Sequence, residues 1–157
     1  MIETRFVAAP TDRARPPLKR NPFMKPVGNE RMLSPSGVFF RSGASVPDQH
    51  ITAVEGVVEE PGRLTIKPLL VGDDMLFLQA FKGKGMKDPI HQHDDHESIA
   101  YLVRGRMRLV IGGKEFIAEA GDAWIHPRGV PHFSEALEDC IQVEVKSPPR
   151  KTWVSQA

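Results

Sequence analysis

The chain has 157 residues, about one domain, and its 40% hydrophobic content is ordinary for a protein with one core. Its 21 basic and 20 acidic residues nearly cancel, and a net charge of +1 supplies no overall field to attract nucleic acid or an anionic membrane. We therefore expect no nucleic-acid partner. We also expect no membrane location, since no apolar run reaches the ~18 residues of a membrane span. The single cysteine, Cys140, cannot close an internal disulfide, and the N-terminus lacks the apolar stretch of a signal peptide, which favours the cytoplasm.

Residues 1–50 are predicted to form an extended arm without helix. Prolines and basic residues fill its first part, which has little apolar surface to offset the entropy of ordering. The arm could pack on the rest of the chain or on a second subunit, or it could be a flexible tail, and a nucleic-acid arm is the least favoured role. Large apolar side chains favour packing, namely Phe6, Phe23, Met24, Phe39 and Phe40.

Residues 51–157 are predicted to form an all-β domain, because short apolar runs alternate there with turn signals. Gly112 and Gly113 separate two such runs and predict a two-residue hairpin. No window of helical length shows a 3.6-residue period, so at most a helical turn or two is expected. The predicted strands are 51–58, 64–70, 75–81, 99–103, 106–111, 114–118, 123–125, 132–135 and 140–145.

Three histidines indicate a metal site. His91 and His93 are two residues apart, and on a strand such residues project from the same face. His132 follows a rigid Pro-Arg-Gly-Val-Pro turn and begins a strand that can return to the same place. A lone His-x-His pair often lies on the surface without a function. Here a third histidine, like the pair, lies among glycines and prolines, which favours one divalent transition metal, with Zn, Ni, Fe, Mn and Cu all compatible.

Glycines and prolines frame these histidines in two segments. The first segment runs from Gly85 through His91, His93, Glu97 and Ser98 to Gly105, and the second contains Gly121, Pro127, Gly129 and His132. Together they resemble the two motifs of the cupin family. The resemblance implies a jelly-roll β-barrel, here a single one because the pattern is not repeated. It also implies a small-molecule ligand or substrate, and we expect a homodimer because sheet edges need cover.

The cupin pattern implies a fourth ligand, usually Glu or Gln, seven residues before the closing glycine of the first motif. That position is Ser98, with Glu97 beside it. If Ser98 faces inward, the two-residue period of a strand directs Glu97 outward unless the strand is bulged. We favour three histidine ligands with an open position at Ser98, while Glu97 and, more remotely, His96 stay open as alternatives. Of the other histidines, His126 is predicted to be exposed in a turn, and His50 would matter only if the arm covers the barrel mouth.

The segment from His132 to Arg150 resembles the single-barrel cupins of pectin and alginate catabolism, which act on unsaturated uronates. The resemblance implies catalytic roles for Glu144, an acid on the last barrel strand, and for Arg150 after the paired prolines. An arginine suits a substrate carboxylate, and a buried Glu can move a proton. The alternative is that the two residues merely pair at the barrel edge. The chain departs from this family where Lys146 replaces an aromatic residue and Ser98 a glutamine ligand.

Three functions are compatible with these residues. The leading one is a metal-dependent lyase or isomerase acting on a small carboxylated sugar or keto acid. The second is an Fe(II)-dependent dioxygenase of small diketone or aromatic substrates, which would need a redox-active ion. The third is a non-enzymatic small-ligand binding module, which a pocket without an acid or base near the metal would favour.

Overall fold

The computed structural model of the chain describes residues 31–58 and 63–156. Predictions for residues 1–30, including Phe6, Phe23 and Met24, lie outside the described residues. Twelve strands and a 3₁₀ turn at Gly43–Ser45 make up the described elements. The strands are β1 Gln49–Val54, β2 Val57–Val58, β3 Leu64–Val71, β4 Leu76–Lys82, β5 Lys87–His91, β6 Glu97–Arg104, β7 Arg106–Ile111, β8 Lys114–Glu119, β9 Ala123–His126, β10 His132–Ala136, β11 Cys140–Ser147 and β12 Trp153–Ser155.

Two antiparallel sheets form a jelly-roll barrel. The larger sheet has eight strands in the order β12-β1-β3-β4-β11-β6-β9, with β2 attached to β1, and the smaller sheet has the order β5-β10-β7-β8. The all-β prediction is confirmed. The hairpin prediction is confirmed too, because Ile111 pairs with Lys114 across two glycines with positive φ. Within the described part of the chain, no helix is long and apolar enough to cross a membrane.

Three strand predictions differ from the structure, one in the first predicted strand and two at strands β5 and β12. The predicted strand 51–58 is interrupted by a turn at Glu55 and Gly56, both with positive φ. The bounds of strand β5 were not predicted, although His91 was expected to lie on a strand. The buried position of β5 is Asp88, so an apolar alternation is absent. Strand β12 was also missed, since its three residues are held by pairing with β1.

Residues 31–48 were predicted as part of the arm, and their apolar side chains differ in burial. Leu33 packs against the core, and its backbone N–H donates to the carbonyl of Pro149. Phe39 and Phe40, which were expected to favour packing, are instead exposed. The expectation was therefore wrong for these two phenylalanines, because apolar composition alone does not determine which side chains find a partner.

Apolar side chains fill the barrel in two clusters. One includes Ile51, Leu76, Leu78 and Trp153, and the other includes Leu102, Met107, Leu109 and Cys140. Cys140 is a buried thiol, as its apolar neighbours suggested. Along β6 and β11, buried and exposed residues alternate strictly over most of the length, so every second side chain points into the barrel. These two strands therefore carry side chains from the core to the polar cavity described below.

Gly105, the closing glycine of the first motif, joins β6 to β7 where the chain comes closest to a neighbour. Its φ is +94°, and an added Cβ would lie 2.6 Å from the carbonyl oxygen of Asp139 and 2.7 Å from Sγ of Cys140. Gly113 has a similar φ of +79°, but nothing lies within 4 Å of its Cβ position. The two glycines thus share the backbone requirement and differ in the available space.

We expect Gly105→Ala to lower the free energy of unfolding by about 1–3 kcal/mol more than Gly113→Ala, because only the first adds a clash to the strained backbone. Urea unfolding followed by tryptophan fluorescence measures both. Equal losses of unfolding free energy in the two variants would show that the close approach at Gly105 does not add to the cost of the substitution.

Candidate metal centre

His91, His93 and His132 converge inside the barrel, where one ring nitrogen from each lies within 4.8 Å of the other two. His91 ends β5 and His132 begins β10, and the two residues are direct cross-strand partners. His93 lies in the loop after β5, so the prediction that it shares a strand with His91 is wrong. The ring centroids of His93 are nevertheless 5.1 Å from His91 and 4.9 Å from His132.

The Nδ1 atoms of these histidines are held by other groups. Nδ1 of His91 donates to the carbonyl of Pro89 at 2.8 Å, and Nδ1 of His132 donates to the carbonyl of Val130 at 3.0 Å. A carbonyl can only accept, so these bonds set the tautomer and leave each Nε2 lone pair free. Nδ1 of His93 is 2.8 Å from Oε1 of Glu55. The three Nε2 atoms are therefore available to one ion, and the donor set fits a divalent transition metal.

Glu55 is a site residue that the sequence reasoning missed. It has a φ of +49°, unusual for a residue other than glycine, in the turn that interrupts the first predicted strand. Its buried carboxylate also accepts a hydrogen bond of 2.8 Å from Nη2 of Arg31. Arg31 thus compensates the charge of Glu55, and Glu55 in turn orients His93 as carboxylates orient metal-bound imidazoles elsewhere.

Burial keeps the imidazoles of His93 and His132 neutral, which is the form that binds a metal. Burial lowers the pKa of His132 to about 4, and the neighbouring His91 adds to this effect. Burial together with the positive charge of Lys146 lowers the pKa of His93 well below its usual range. Burial, followed by the positive charge of Lys146, also lowers the pKa of His96 to about 4.

Ser98 and Glu97 lie on opposite faces of β6. Ser98 is 1% exposed and points inward, where its Oγ is 3.3 Å from Nδ1 of His126. Glu97 is exposed, and the pairing of β6 with β11 is regular at this point, with Ser98 opposite Lys146 and Glu97 opposite Ser147. A bulge does occur between these strands, but it lies at the other end, near Ile141.

His96 is fully buried beside the cluster. Its ring centroid is 4.2 Å from that of His93, and Asp95 contacts its Nδ1 at 2.8 Å. Among the described residues, Nε2 of His96 has no hydrogen-bond partner. His96, His93 and Glu55 form a second group whose ligand atoms lie within 4.8 Å of one another, and this group shares His93 with the first.

His126 is buried at the end of β9, so the prediction of an exposed turn residue is wrong. Its ring stacks on His132 with a centroid distance of 4.0 Å, and Trp124 Nε1 donates to its Nε2 at 3.1 Å. Burial lowers its pKa well below the usual range. The pairing of β9 with β6 turns His126 inward, a tertiary effect that the following proline obscured. His50, by contrast, is exposed on β1.

Glu144 and Arg150 do not pair with each other. Glu144 is buried on the inner face of β11 and lines the cavity with the three histidines, where Gln142 Nε2 approaches its carboxylate at 3.4 Å. Arg150 lies after β11, and its Nε is 3.4 Å from Oδ2 of Asp95. The edge pair between Glu144 and Arg150 that was considered as an alternative is therefore wrong.

Two lysines also line this cavity, and neither was predicted as a site residue. Lys82 donates to Asp88 and, at 2.8 Å, to Ser134, which also bonds Asp88. Burial opposes ionisation of Asp88, but Lys82 and the hydrogen bonds outweigh it and lower the pKa of this carboxyl. Lys146 lies on β11 and is 4% exposed. Because Lys146 is two residues after Glu144, the period of a strand could have predicted that it faces inward.

An antiparallel jelly-roll barrel with three inward histidines on the frames described above defines the cupin class. The model of the family described as "Cupin domain" matches residues 77–144, and the chain belongs to the cupin family. It is 32% identical over 83 residues to the pectin degradation protein KdgF of Dickeya dadantii (strain 3937), which covers 52% of this chain and 76% of that protein.

Solved structures have the same fold. The structure of KdgF from Halomonas sp. matches with 27% identity and a TM-score of 0.55, covering 57% of this chain and 82% of that one. An RmlC-like cupin from Shewanella frigidimarina NCIMB 400 matches with 22% identity and a TM-score of 0.65, covering 76% and 97%. The second likeness concerns the fold alone, and the first extends to sequence as well.

Glu55→Gln is expected to weaken metal affinity about 10- to 100-fold, because the histidine that it orients loses a charged partner. Chelator competition with Zn²⁺ or Co²⁺ measures this. Glu97→Gln, on the outer face of β6, is the matched comparison and is expected to bind metal as the parent does. If affinity falls for Glu97→Gln and not for Glu55→Gln, then Glu97 completes the metal shell and the three-histidine assignment is wrong.

Proposed function

We propose that this cupin is a metal-dependent lyase or isomerase acting on a small carboxylated sugar or keto acid. The observation that carries the proposal is the burial of Glu144, a proton-transfer group, in the cavity that the three histidines line. Similarity to a protein named for pectin degradation supports a sugar acid as the substrate class.

One divalent transition metal is proposed to bind His91, His93 and His132, with Ser98 leaving a coordination position open. When bound, such an ion supplies Lewis-acid polarisation of a carbonyl or ring oxygen. The hydrogen bonds to Pro89, Val130 and Glu55 keep each imidazole in the orientation that this requires. Ser98 is short, and its hydroxyl is shared with His126, so substrate atoms would have room beside it.

Glu144 is proposed to move a proton at the substrate carbon or oxygen next to the metal. Its carboxylate is buried, with Nζ of Lys146 at 3.9 Å and Gln142 at 3.4 Å, so its environment differs strongly from water. Arg150 is proposed to bind a substrate carboxylate. Among the described residues, its buried Nε and Nη1 atoms have no hydrogen-bond partner, which leaves donors for a ligand.

The position of Glu144 also bears on the other two functions. A binding module without chemistry was expected to have no acid or base beside the metal, and the inward Glu144 argues against it. A dioxygenase needs a redox-active ion, so metal analysis of protein purified without an affinity tag separates that reaction from a lyase or isomerase. Iron as the resident metal, with oxygen consumed on addition of a diketone, would favour the dioxygenase.

Glu144→Gln is expected to lower kcat about 10²- to 10⁴-fold with metal content unchanged, because the amide cannot accept or return a proton. Turnover of unsaturated uronates, followed through the ultraviolet absorption of the ring double bond, measures it. Glu119→Gln, at an exposed position of β8, is the control. Wild-type protein that binds metal but turns over neither uronates nor small keto acids would overturn the proposed reaction class.

A homodimer is proposed as the assembled form. Phe77, Val145, Ile99 and Ile125 are exposed and directly opposite one another on β4, β11, β6 and β9, so they form one apolar row across four neighbouring strands. A second copy related by a two-fold axis would cover this row with the same row, which is the commonest way to bury such a surface.

Ile99→Lys is expected to convert the dimer to a monomer, because it places a charge in the centre of that row. Light scattering coupled to size exclusion measures the mass. Ile117→Lys is the control, since Ile117 is equally exposed on β8 of the other sheet. A wild-type monomer at all concentrations, or a dimer broken only by Ile117→Lys, would contradict this interface.

A further inference from the structure

Lys146 is a buried ammonium in the cavity that holds the three histidines. It faces inward from β11, directly opposite Ser98 on β6 and Leu76 on β4. Only 4% of the residue is exposed, although lysine is among the residues that are almost never fully buried without a partner. A role in the cavity is therefore a better explanation for Lys146 than chance placement.

The protein itself compensates Lys146 only partly. Among the described residues, Nζ makes one hydrogen bond, to Oγ1 of Thr152 at 2.7 Å, and an ammonium has three donors. Oε1 of Glu144 is 3.9 Å away, too far for a hydrogen bond, and the Trp153 ring centroid is 5.7 Å away. Lys82, the other buried lysine, differs because Asp88 and Ser134 both bond its Nζ. Lys146 thus has donors left for a ligand, and Lys82 is committed to the protein.

Lys146 lies beside the proposed open coordination position. Its direct cross-strand partner is Ser98, the residue that stands where a longer metal ligand was expected. The short serine side chain leaves space on the inner face that the lysine can share. Lys146 also lines the same cavity as His91, His93 and His132. An anion bound there would reach Nζ and the metal position together.

The charges in the cavity also require an anion once a metal is present. Lys82 and Asp88 cancel, and Lys146 and Glu144 cancel, so the charged residues that line the cavity sum to zero. His93, His126 and His132 add no positive charge, because burial lowers the pKa of each imidazole. A divalent ion then adds two uncompensated positive charges in a buried site, which is unfavourable without an anionic ligand.

From this arrangement we infer that Lys146 binds the anionic group of the substrate, a carboxylate or the oxyanion of a keto acid, next to the metal. The inference rests on the proposed function, because it assigns the substrate-binding cation within that site. It places the larger share of the specificity for acids on Lys146, inside the cavity. The smaller share falls on Arg150, which pairs with Asp95 and, among the described residues, is not part of the cavity lining.

The test uses pyruvate, the smallest α-keto carboxylate, and pyruvamide, its neutral counterpart. Binding is measured by calorimetry and by the visible absorption of Co²⁺-loaded protein, and each ligand is also titrated into metal-free protein. Lys146→Met is expected to weaken pyruvate binding about 10- to 100-fold and to leave pyruvamide binding and Co²⁺ stoichiometry unchanged, since only the charge-assisted bond is lost. Unlike Lys146→Met, Lys146→Arg is expected to retain most of the wild-type preference for pyruvate over pyruvamide, because it keeps the charge.

Two comparisons make the result specific. Lys114→Met removes an exposed lysine on the β7–β8 hairpin and is expected to change nothing, and thermal melting of every variant reports on folding. Arg150→Met is expected to cost less pyruvate affinity than Lys146→Met. A larger loss for Arg150→Met, an equal loss of pyruvate and pyruvamide in Lys146→Met, or no pyruvate binding by the wild type would overturn the inference.

The same measurements separate the inference from the proposed function. If Co²⁺ binds and Lys146→Met does not change the preference for pyruvate, then the metal site is supported and the inference is wrong. If Co²⁺ does not bind the histidines while metal-free protein still prefers pyruvate through Lys146, then the metal-dependent function fails and the inference is supported.

Discussion

The polar cavity of this barrel depends on the buried ion pair between Lys82 and Asp88. An uncompensated ion in a protein interior costs several kcal/mol, and in a barrel this small little apolar core is available to offset several such losses. Lys82 is therefore held by Asp88 and Ser134, and Glu55 by Arg31. The contacts of Lys82 link β4, β5 and β10, so the cavity and the fold depend on the same interactions.

The two sheets contribute different chemistry to the cavity. His91 and His132 come from β5 and β10 of the smaller sheet, whereas Glu144, Lys146 and Ser98 come from β11 and β6 of the larger one. Closing the barrel brings a group of imidazoles opposite an acid and an ammonium. Burial keeps the imidazoles of His93 and His132 unprotonated, so they stay chemically distinct from the ionised groups at neutral pH.

Ser98 and Lys146 stand at two positions where the resemblance to the uronate-acting cupins predicts other residues, and the two are neighbours in the structure. They face each other across one β6–β11 pair, both directed into the cavity. A shorter residue on one strand therefore accommodates a longer, charged one on the next. The departures form a single altered corner of the site, and this corner is where the chemistry of this protein can differ from that of its relatives.

The sequence by itself determined the fold class and the framed histidines, because glycine and proline positions and the two-residue period of a strand are local properties. That period placed Ser98 and Glu97 on opposite faces of one strand, but it left open which of the two faces the barrel interior. The sequence also identified Glu144 and Arg150 as candidates through resemblance. Tertiary structure decided the rest. Glu55 reaches His93 from 38 residues away, His126 turns inward through pairing with β6, and Arg150 pairs with Asp95. These contacts depend on which strands meet when the barrel closes, and long-range pairing leaves no local pattern in the chain.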